Sequence, residues 1–320
     1  MKVGLSFTPQ SYDDWERKIR LSLAELVPDL TLHDCRRPGS LLDLKPEVVV
    51  GHESDVLIDD LTTPPASLRW VQVMRSGVDR LLEAIGGAPV TFRITNVRGI
   101  HAQAMAEYLL AVLLHFEKRI GTFVENGVHG HWERPTLGQL AGKRLLVCGA
   151  GGIGLPVGAV FDGLGVTVEA VARETSPRPP FRCVHPLSAL PDVIGAFDYV
   201  FCALPLTHET RDVFNRGVID AMKPGAFFVN VARGELVDEW ALMESLRAGR
   251  LGGSVLDAFR EEPLPSDSPL WTTPNLLITP HVAGRFPLGH ELGLAVLRDN
   301  MTAYLAGSPL LTEVFPQRGY

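Results

Sequence analysis

Short, unbroken apolar runs alternate along the chain with longer stretches in which apolar residues recur every three or four positions. The runs predict strands at 3–7, 48–50, 71–73, 91–94, 145–148, 166–172, 199–203, 227–230, 254–256 and 276–279. Continuous Val/Leu/Ile/Phe runs suit parallel strands covered on both faces. The longer stretches predict helices at 102–119, 153–164, 239–248 and 288–305, with Leu292, Val296, Asn300 and Tyr304 on one face of the last. Strands and helices alternating at this spacing predict an α/β protein with doubly wound parallel sheets. Strand-like sequence gives way to a long helix near 95–99, and a Gly-Arg-Phe-Pro turn at 284–287 precedes the final helix. The expected organisation is therefore one domain from 1–98 and 286–320, interrupted by a second at 99–285.

Composition narrows this picture without redrawing it. The 320 residues are 46% hydrophobic and 21% charged, which excludes disordered, collagen-like and coiled-coil chains and fits two domains. A net charge of -7 argues against nucleic-acid binding, which needs a clustered basic face. The 31 glycines and 24 prolines are scattered, as turn residues would be. Cys35, Cys148, Cys183 and Cys202 have no close spacing and read as buried free thiols of a reducing compartment. No apolar stretch approaches the roughly 20 residues of a membrane span, and the opening run is too short for a signal peptide, so a cytoplasmic protein is expected. His129 and His131 flank one glycine, but zinc needs three or four convergent ligands, and no metal is expected.

The chemistry begins at Gly149-Ala150-Gly151-Gly152-Ile153-Gly154, which follows a predicted strand and opens a predicted helix. In that setting G-x-G-x-x-G reads as a dinucleotide loop. Gly149 permits the tight turn, Gly151 and Gly152 let the backbone approach a pyrophosphate, and Gly154 lets helix and strand pack closely. The helix start at Ile153 offers free N–H groups and a positive dipole end to the phosphates. The next strand ends at Ala172-Arg173, followed by Glu174, Thr175 and Ser176, where an acidic residue would bind the ribose 2′-OH of NAD. Arginine there, flanked by the Thr175 and Ser176 hydroxyls, suits a 2′-phosphate and predicts NADPH over NADH.

Three later segments lie at the C-terminal ends of predicted strands, where open α/β sheets place ligands. They are 229–234, 256–265 and 279–284, and they supply Arg233, Glu262 and His281. With these in view the chain resembles the D-isomer-specific 2-hydroxyacid dehydrogenase family. The resemblance runs over nearly the whole chain: Ser76-Gly77-Val78-Asp79, Met105-Ala106-Glu107, the glycine loop, Leu204-Pro205-Leu206-Thr207 with Thr210, the Arg233 segment, Asp257-x-Phe259-x-x-Glu262-Pro263 and Pro280-His281. The Ala172-Arg173 ending lies closest in pattern to the NADPH-preferring glyoxylate/hydroxypyruvate reductases.

The resemblance implies a Rossmann cofactor domain inserted into a flavodoxin-like substrate domain, and a hydride transfer between NAD(P) and a small 2-keto acid. It assigns Arg233 to the substrate carboxylate and carbonyl, His281 to acid/base catalysis, and Glu262 to orienting and charging the imidazole. Elementary chemistry agrees: guanidinium matches a carboxylate bidentately, and a protonated histidine has a proton to give to a developing alkoxide. The resemblance also places Met105 against the nicotinamide, Leu204, Pro205 and Thr210 around the adenosine and phosphates, and Ala232 and Asp257 at the carboxamide. Val231 and Gly284 of the same segments complete the cofactor set. Backbone N–H groups of Ser76, Gly77 and Val78 would bind the substrate carboxylate.

Arg75 stands where the family often has glycine. It either faces solvent or brings an extra cation to the pocket mouth, which would favour a substrate with a second acidic group. His52 lines the pocket or stands on the surface. The stretch 126–135, with Trp132, resembles the family's loop that crosses to a partner subunit, so a homodimer is expected. Two other readings stay open: an NAD-dependent relative such as phosphoglycerate or D-lactate dehydrogenase, and a dinucleotide-sensing corepressor-like binding protein of the same fold. Formate dehydrogenase is disfavoured, because that relative pairs its histidine with Gln.

Overall fold

The computed structural model describes residues 1–86 and 90–319, and for residue 318 the backbone alone. The chain divides into two compact units, Met1–Ile100 with Phe286–Tyr320 and His101–Arg285.

The first unit opens with β1 (Lys2–Ser6), α1 (Tyr12–Leu23), β2 (Thr31–Asp34), α2 (Ser40–Leu44), β3 (Val48–Gly51), α3 (Asp55–Thr62), β4 (Trp70–Val73), α4 (Asp79–Ala84) and β5 (Arg93–Thr95). These five strands are parallel and lie in the order β5-β4-β3-β1-β2. That is the flavodoxin-like order. Every residue of β3 and β4 is buried. Alternate residues of β3 feed opposite faces: Val48 and Val50 join Trp15, Ile19 and Leu23 of α1, while Val49 joins Leu57 and Leu61 of α3. This double covering explains the unbroken apolar runs.

The second unit contains α5 (Ala102–Glu117), α6 (Ile120–Val128), β6 (Arg144–Cys148), α7 (Gly154–Gly163), β7 (Thr167–Ala172), β8 (Val184–Pro186), α8 (Leu190–Val193), β9 (Tyr199–Cys202), α9 (Arg216–Ala221), β10 (Phe227–Asn230), α10 (Glu239–Arg247), β11 (Gly253–Leu256) and β12 (Leu276–Ile278). Its seven strands are all parallel, in the order β12-β11-β10-β9-β6-β7-β8. The order reverses between β6 and β9, which is the Rossmann switch point. Leu145 and Val147 pack with α5 and α7 on one face, and Leu146 and Cys148 with α9 and α10 on the other. The predicted helix 102–119 ends early: α5 stops at Glu117, Arg119 adopts φ 51 in the left-handed region, and α6 starts just beyond it.

The chain then returns to the first unit as α11 (Gly289–Leu305) and β13 (Glu313–Val314), which pairs antiparallel with β5. The buried face of α11 is Gly293, Leu297, Asn300 and Met301, with Val296 and Tyr304 packed at its side and Leu292 exposed. Asn300 is fully buried because it is fully used. Its amide donates to Gln72 Oε1 and Thr312 Oγ1, both at 3.1 Å, and its oxygen accepts the N–H of Leu311 at 2.8 Å. Arg93 forks onto both carboxylate oxygens of Glu313 at 2.9 Å, so the last strand is held by side chains as well as by its ladder.

Strands β2, β8 and β13 and most of the short helices escape the sequence reading. β2 carries no fully buried residue, and β8 and β13 are three and two residues long. Cys35, Cys148 and Cys202 are buried free thiols, but Cys183 is exposed, because it stands just before the edge strand β8.

Candidate active site

The glycine loop links β6 to α7. Gly149 adopts φ +112, and a Cβ there would meet Ala203 O at 2.6 Å. A Cβ on Gly154 would collide with the backbone oxygen of Gly149 and come within 2.9 Å of Val147. Gly151 is different: a Cβ there meets nothing within 4 Å. Among the described residues, the N–H groups of Gly151, Gly152 and Ile153 find no backbone acceptor. The loop is thus sealed at Gly149 and Gly154 and open, with donors to spare, at the middle glycines. That is the form an anion-binding helix start requires.

Beyond β7, Arg173, Thr175 and Ser176 are exposed, and Arg173 Nη2 lies 3.2 Å from Glu209 Oε2. A second arginine escapes the sequence reading. Arg178 donates through Nη1 to Ala150 O at 2.7 Å, which joins the segment after β7 to the glycine loop itself. Its spacing from Arg173, in a Pro-rich stretch, was the available signal.

Leu204 is buried and Pro205 exposed at the end of β9. Thr210 is turned inward, its hydroxyl donating to Pro205 O at 2.6 Å and accepting from Thr207 N at 2.8 Å, so it shapes this loop from within. Met105 is buried on α5, and its Cε would lie 3.0 Å from a Cβ placed on Gly284. His101 Nδ1 lies 2.9 Å from Gly284 O, and burial lowers the pKa of this imidazole.

Arg233, Glu262 and His281 follow β10, β11 and β12, three neighbouring strands, at their C-terminal ends. Val231 and Ala232 are buried beside Arg233. Asn230 braces this turn, its amide donating to Arg233 O at 2.8 Å and its oxygen accepting Ala232 N at 3.0 Å. Arg233 Nη1 donates to Ala232 O at 2.8 Å. Gly234 is mandatory, because a Cβ would strike the backbone of Phe259 and Arg260.

His281 Nδ1 lies 2.8 Å from Glu262 Oε2 and 3.1 Å from Oε1. A carboxylate only accepts, so Nδ1 carries the hydrogen and Nε2 is the working nitrogen. Glu262 is itself aimed, since its Oε1 accepts the N–H of Phe259 at 2.9 Å. His281 sits at φ 53, a conformation in which histidine is tolerated better than most residues. Asp257 holds the turn that carries it. This buried carboxylate accepts from Thr279 Oγ1 at 2.5 Å and from the N–H groups of Val282 and Ala283, each at 2.9 Å. Tyr108 reaches Thr279 Oγ1 at 2.6 Å, and burial pushes its phenol up to about 12.

In the other unit, residues 75–78 follow β4. Val97 N donates to Arg75 O at 3.3 Å and Asn96 Nδ2 to Ser76 O at 2.8 Å, while the N–H groups of Ser76, Gly77 and Val78 find no backbone acceptor among the described residues. Val78 is buried and Arg75 exposed. His52, after β3, packs edge-on to Phe7 at 5.0 Å and Trp15 at 5.8 Å. Burial, then the charges of Arg75 and His290, lower its pKa to about 4.

His129 and His131 are exposed. Among the described residues, the ligand-type side chains that do draw together are Glu169, Cys183 and His185 at the β7–β8 edge. There Glu169 is already engaged by Arg144 at 2.7 Å and by His185 at 2.8 Å.

A nucleotide-binding glycine turn and an aimed Glu-His pair on successive strand ends define a Rossmann-fold oxidoreductase. Residues 110–283 match the model of the D-isomer specific 2-hydroxyacid dehydrogenase, NAD binding domain, and the chain belongs to this family. It is similar to glyoxylate/hydroxypyruvate reductase B of Citrobacter koseri, at 28% identity over 322 residues, covering 94% of this chain and 99% of the relative. Among solved structures it resembles a D-isomer specific 2-hydroxyacid dehydrogenase of Xanthobacter autotrophicus in complex with NADPH and MES, with TM-score 0.86, 28% identity and coverage of 100% and 99%. A family member from Aeromonas salmonicida superposes with TM-score 0.82 at 30% identity, covering 98% of each chain. The protein is therefore a nicotinamide-dependent enzyme of 2-hydroxy and 2-keto acids. No helix of the described residues is long and apolar enough to cross a membrane.

Proposed function

We propose that the protein reduces a small 2-keto acid of the glyoxylate/hydroxypyruvate type with NADPH. The observation that carries this reading is the Glu262–His281 pair, aimed by Phe259 N and the Asp257-braced turn, with Nε2 left for the substrate. The open donors at Gly151, Gly152 and Ile153 fit the pyrophosphate, with Gly149 and Gly154 closing the turn around them. When bound, the nicotinamide supplies the hydride to the keto carbon. Met105 and Gly284 would line its ring, Val231, Ala232 and Asp257 its carboxamide side, and Leu204, Pro205 and Thr210 the adenosine side.

Arg233 holds the substrate carboxylate and polarises the carbonyl, and the N–H groups of Ser76, Gly77 and Val78 supply further carboxylate donors. The Nε2 proton of charged His281 passes to the carbonyl oxygen as it gains negative charge, and Glu262 stabilises the imidazolium until then. The product is the 2-hydroxy acid. In the oxidative direction neutral His281 takes the proton back.

The preference for NADPH rests on Arg173, which directly follows β7 where an acidic residue would bind a ribose 2′-OH, and on the Thr175 and Ser176 hydroxyls; the 2′-phosphate would take the place of Glu209 on the guanidinium. The similarity to glyoxylate/hydroxypyruvate reductases supports the substrate class. A homodimer is supported by α6, on which Ile120, Val124 and Val128 are exposed at successive i, i+4 positions, and by Trp132, 87% exposed just beyond it. Four free cysteines support a reducing, cytoplasmic location.

The test is loss of NADPH or NADH absorbance with a panel of 2-keto acids. Turnover with glyoxylate or hydroxypyruvate, and a lower KM for NADPH than for NADH, is expected. Failure of every 2-keto acid with both cofactors would remove the reading. A monomer by sedimentation at micromolar concentration would remove the dimer from it.

A further inference from the structure

Arg75 is the cation that the carboxylate-binding loop does not need. Among the described residues the N–H groups of Ser76, Gly77 and Val78 find no backbone acceptor, and one carboxylate can satisfy them. Arg75 precedes them directly, at the C-terminal end of β4, where the sheet order puts β3 and then β1 beside it. Several acids of the same unit are engaged elsewhere. Asp14 pairs with Arg17 and Lys18, Asp55 with Arg80, and Glu53 accepts the N–H of Leu81. Among the described residues Arg75 has no carboxylate partner, unlike Arg17, Arg36, Arg80 and Arg93 of the same unit.

Its surroundings favour an anion further. Arg75 and His290 both bear on His52 electrostatically, and both disfavour its protonation. Burial keeps His52 neutral around neutral pH, so it can offer a ring hydrogen bond without a charge of its own. The wall behind it is Trp15, stacked on Phe7 at 4.9 Å and carrying the exposed His290 at 4.7 Å. Met74 N donates to Gly51 O at 2.8 Å, so the chain leaves β3 and β4 side by side and sets His52 next to the start of the 75–78 loop.

From this we infer that Arg75 selects 2-keto acids bearing a second carboxylate, of the 2-oxosuccinate or 2-oxoglutarate class. One carboxylate sits on the N–H groups of residues 76–78 and the other on the Arg75 guanidinium, with His52 and His290 at its side. The inference rests on the reductase reading above. It does not alter the chemistry at His281, only which 2-keto acid is held best.

The experiment compares initial rates of NADPH oxidation with 2-oxosuccinate, 2-oxoglutarate and glyoxylate for the wild type, Arg75→Gln and Arg75→Lys. The wild type is expected to turn over at least one diacid as well as glyoxylate, and turnover of glyoxylate with neither diacid overturns the inference. In Arg75→Gln the diacid-to-glyoxylate ratio of kcat/KM falls about tenfold or more, carried by KM, since a charge-assisted hydrogen bond is lost. Arg75→Lys restores part of the ratio, because it keeps the charge without the fork. An unchanged ratio in Arg75→Gln, or equal losses for diacid and glyoxylate, overturns the inference while leaving the reductase reading in place. No turnover of any 2-keto acid by the wild type removes both.

Discussion

Asp257, just beyond β11, binds Thr279, just beyond β12, through a hydrogen bond of 2.5 Å. The same carboxylate collects the N–H groups of Val282 and Ala283, so one buried side chain closes the turn on both sides of His281. Asp257→Asn keeps the shape but presents an NH2 group to at least one of those donors. Leaving a buried donor unmatched costs about 1–3 kcal/mol. The expected result is a lower midpoint in urea, and a kcat that falls although Asp257 takes no part in proton transfer. Wild-type kcat in this variant would show that the turn holds His281 without Asp257.

Replacing His281 separates chemistry from structure. Its φ of 53 makes asparagine the conservative choice, because Asn accepts the left-handed region. His281→Asn is expected to leave thermal stability and NADPH affinity near wild type while kcat falls by about 10²–10⁴, the usual worth of a positioned acid/base group. A variant with undiminished kcat would reassign the proton transfer. Val at this position should add strain of about 1–3 kcal/mol, read in Tm.

Two glycines of one motif should fail in different ways. Gly154→Ala forces a methyl into the Gly149 carbonyl, so the protein is expected to lose stability or fail to fold. Gly151→Ala meets nothing in the protein, so Tm should hold. Its methyl would stand where the pyrophosphate approaches, and the Kd for NADPH should rise by about tenfold or more, on the order of 1.4 kcal/mol. Tight cofactor binding by Gly151→Ala would move the pyrophosphate off this loop.

His52 predicts an acid-side loss of stability. Its pKa is lowered from 6.5 to about 4 in the folded protein, so below pH 6.5 the unfolded chain binds a proton that the folded one refuses. Stability is therefore full above pH 6.5 and declines as pH falls towards 4, by up to about 3 kcal/mol from this group. Urea unfolding of wild type and His52→Gln at pH 7.5 and pH 4.5 checks this. The stability difference between the two proteins should shift towards the variant at the lower pH. A difference independent of pH would contradict the sign.

Much of this architecture was readable because parallel strands covered on both faces announce themselves. Leu145–Cys148 and Phe227–Asn230 have too little polar sequence to be anything exposed. β2 was not readable, since its residues are half-buried or exposed and carry a His and an Asp. β13 was not readable either, because a two-residue strand has no period; Arg93, far away in sequence, holds its Glu313, and Asn300 holds the turn just before it. At the site, the glycine loop and the Glu262-Pro263 and Pro280-His281 pairs could be found locally. The Asp257 clamp could not: its partners are separated by loop, and only the pairing of β11 with β12 brings them together. Arg178 was visible as a charge, but its bond to Ala150 depends on how the segment after β7 folds back.

The first unit is assembled from both ends of the chain, and its last strand comes from Glu313–Val314. A chain emerging from the ribosome therefore presents β5 with one ladder edge vacant, and the groove for α11 unfilled, while the whole inserted unit is being made. At about 5–20 residues per second that interval is roughly 10–40 s. During it Trp70 and Val97 lack the cover that Leu297 and Met301 later give. The inserted unit, continuous in sequence, can complete its own core meanwhile. The arrangement thus sets an order of completion, in which the inserted unit can close its core before the first unit receives its last helix and strand.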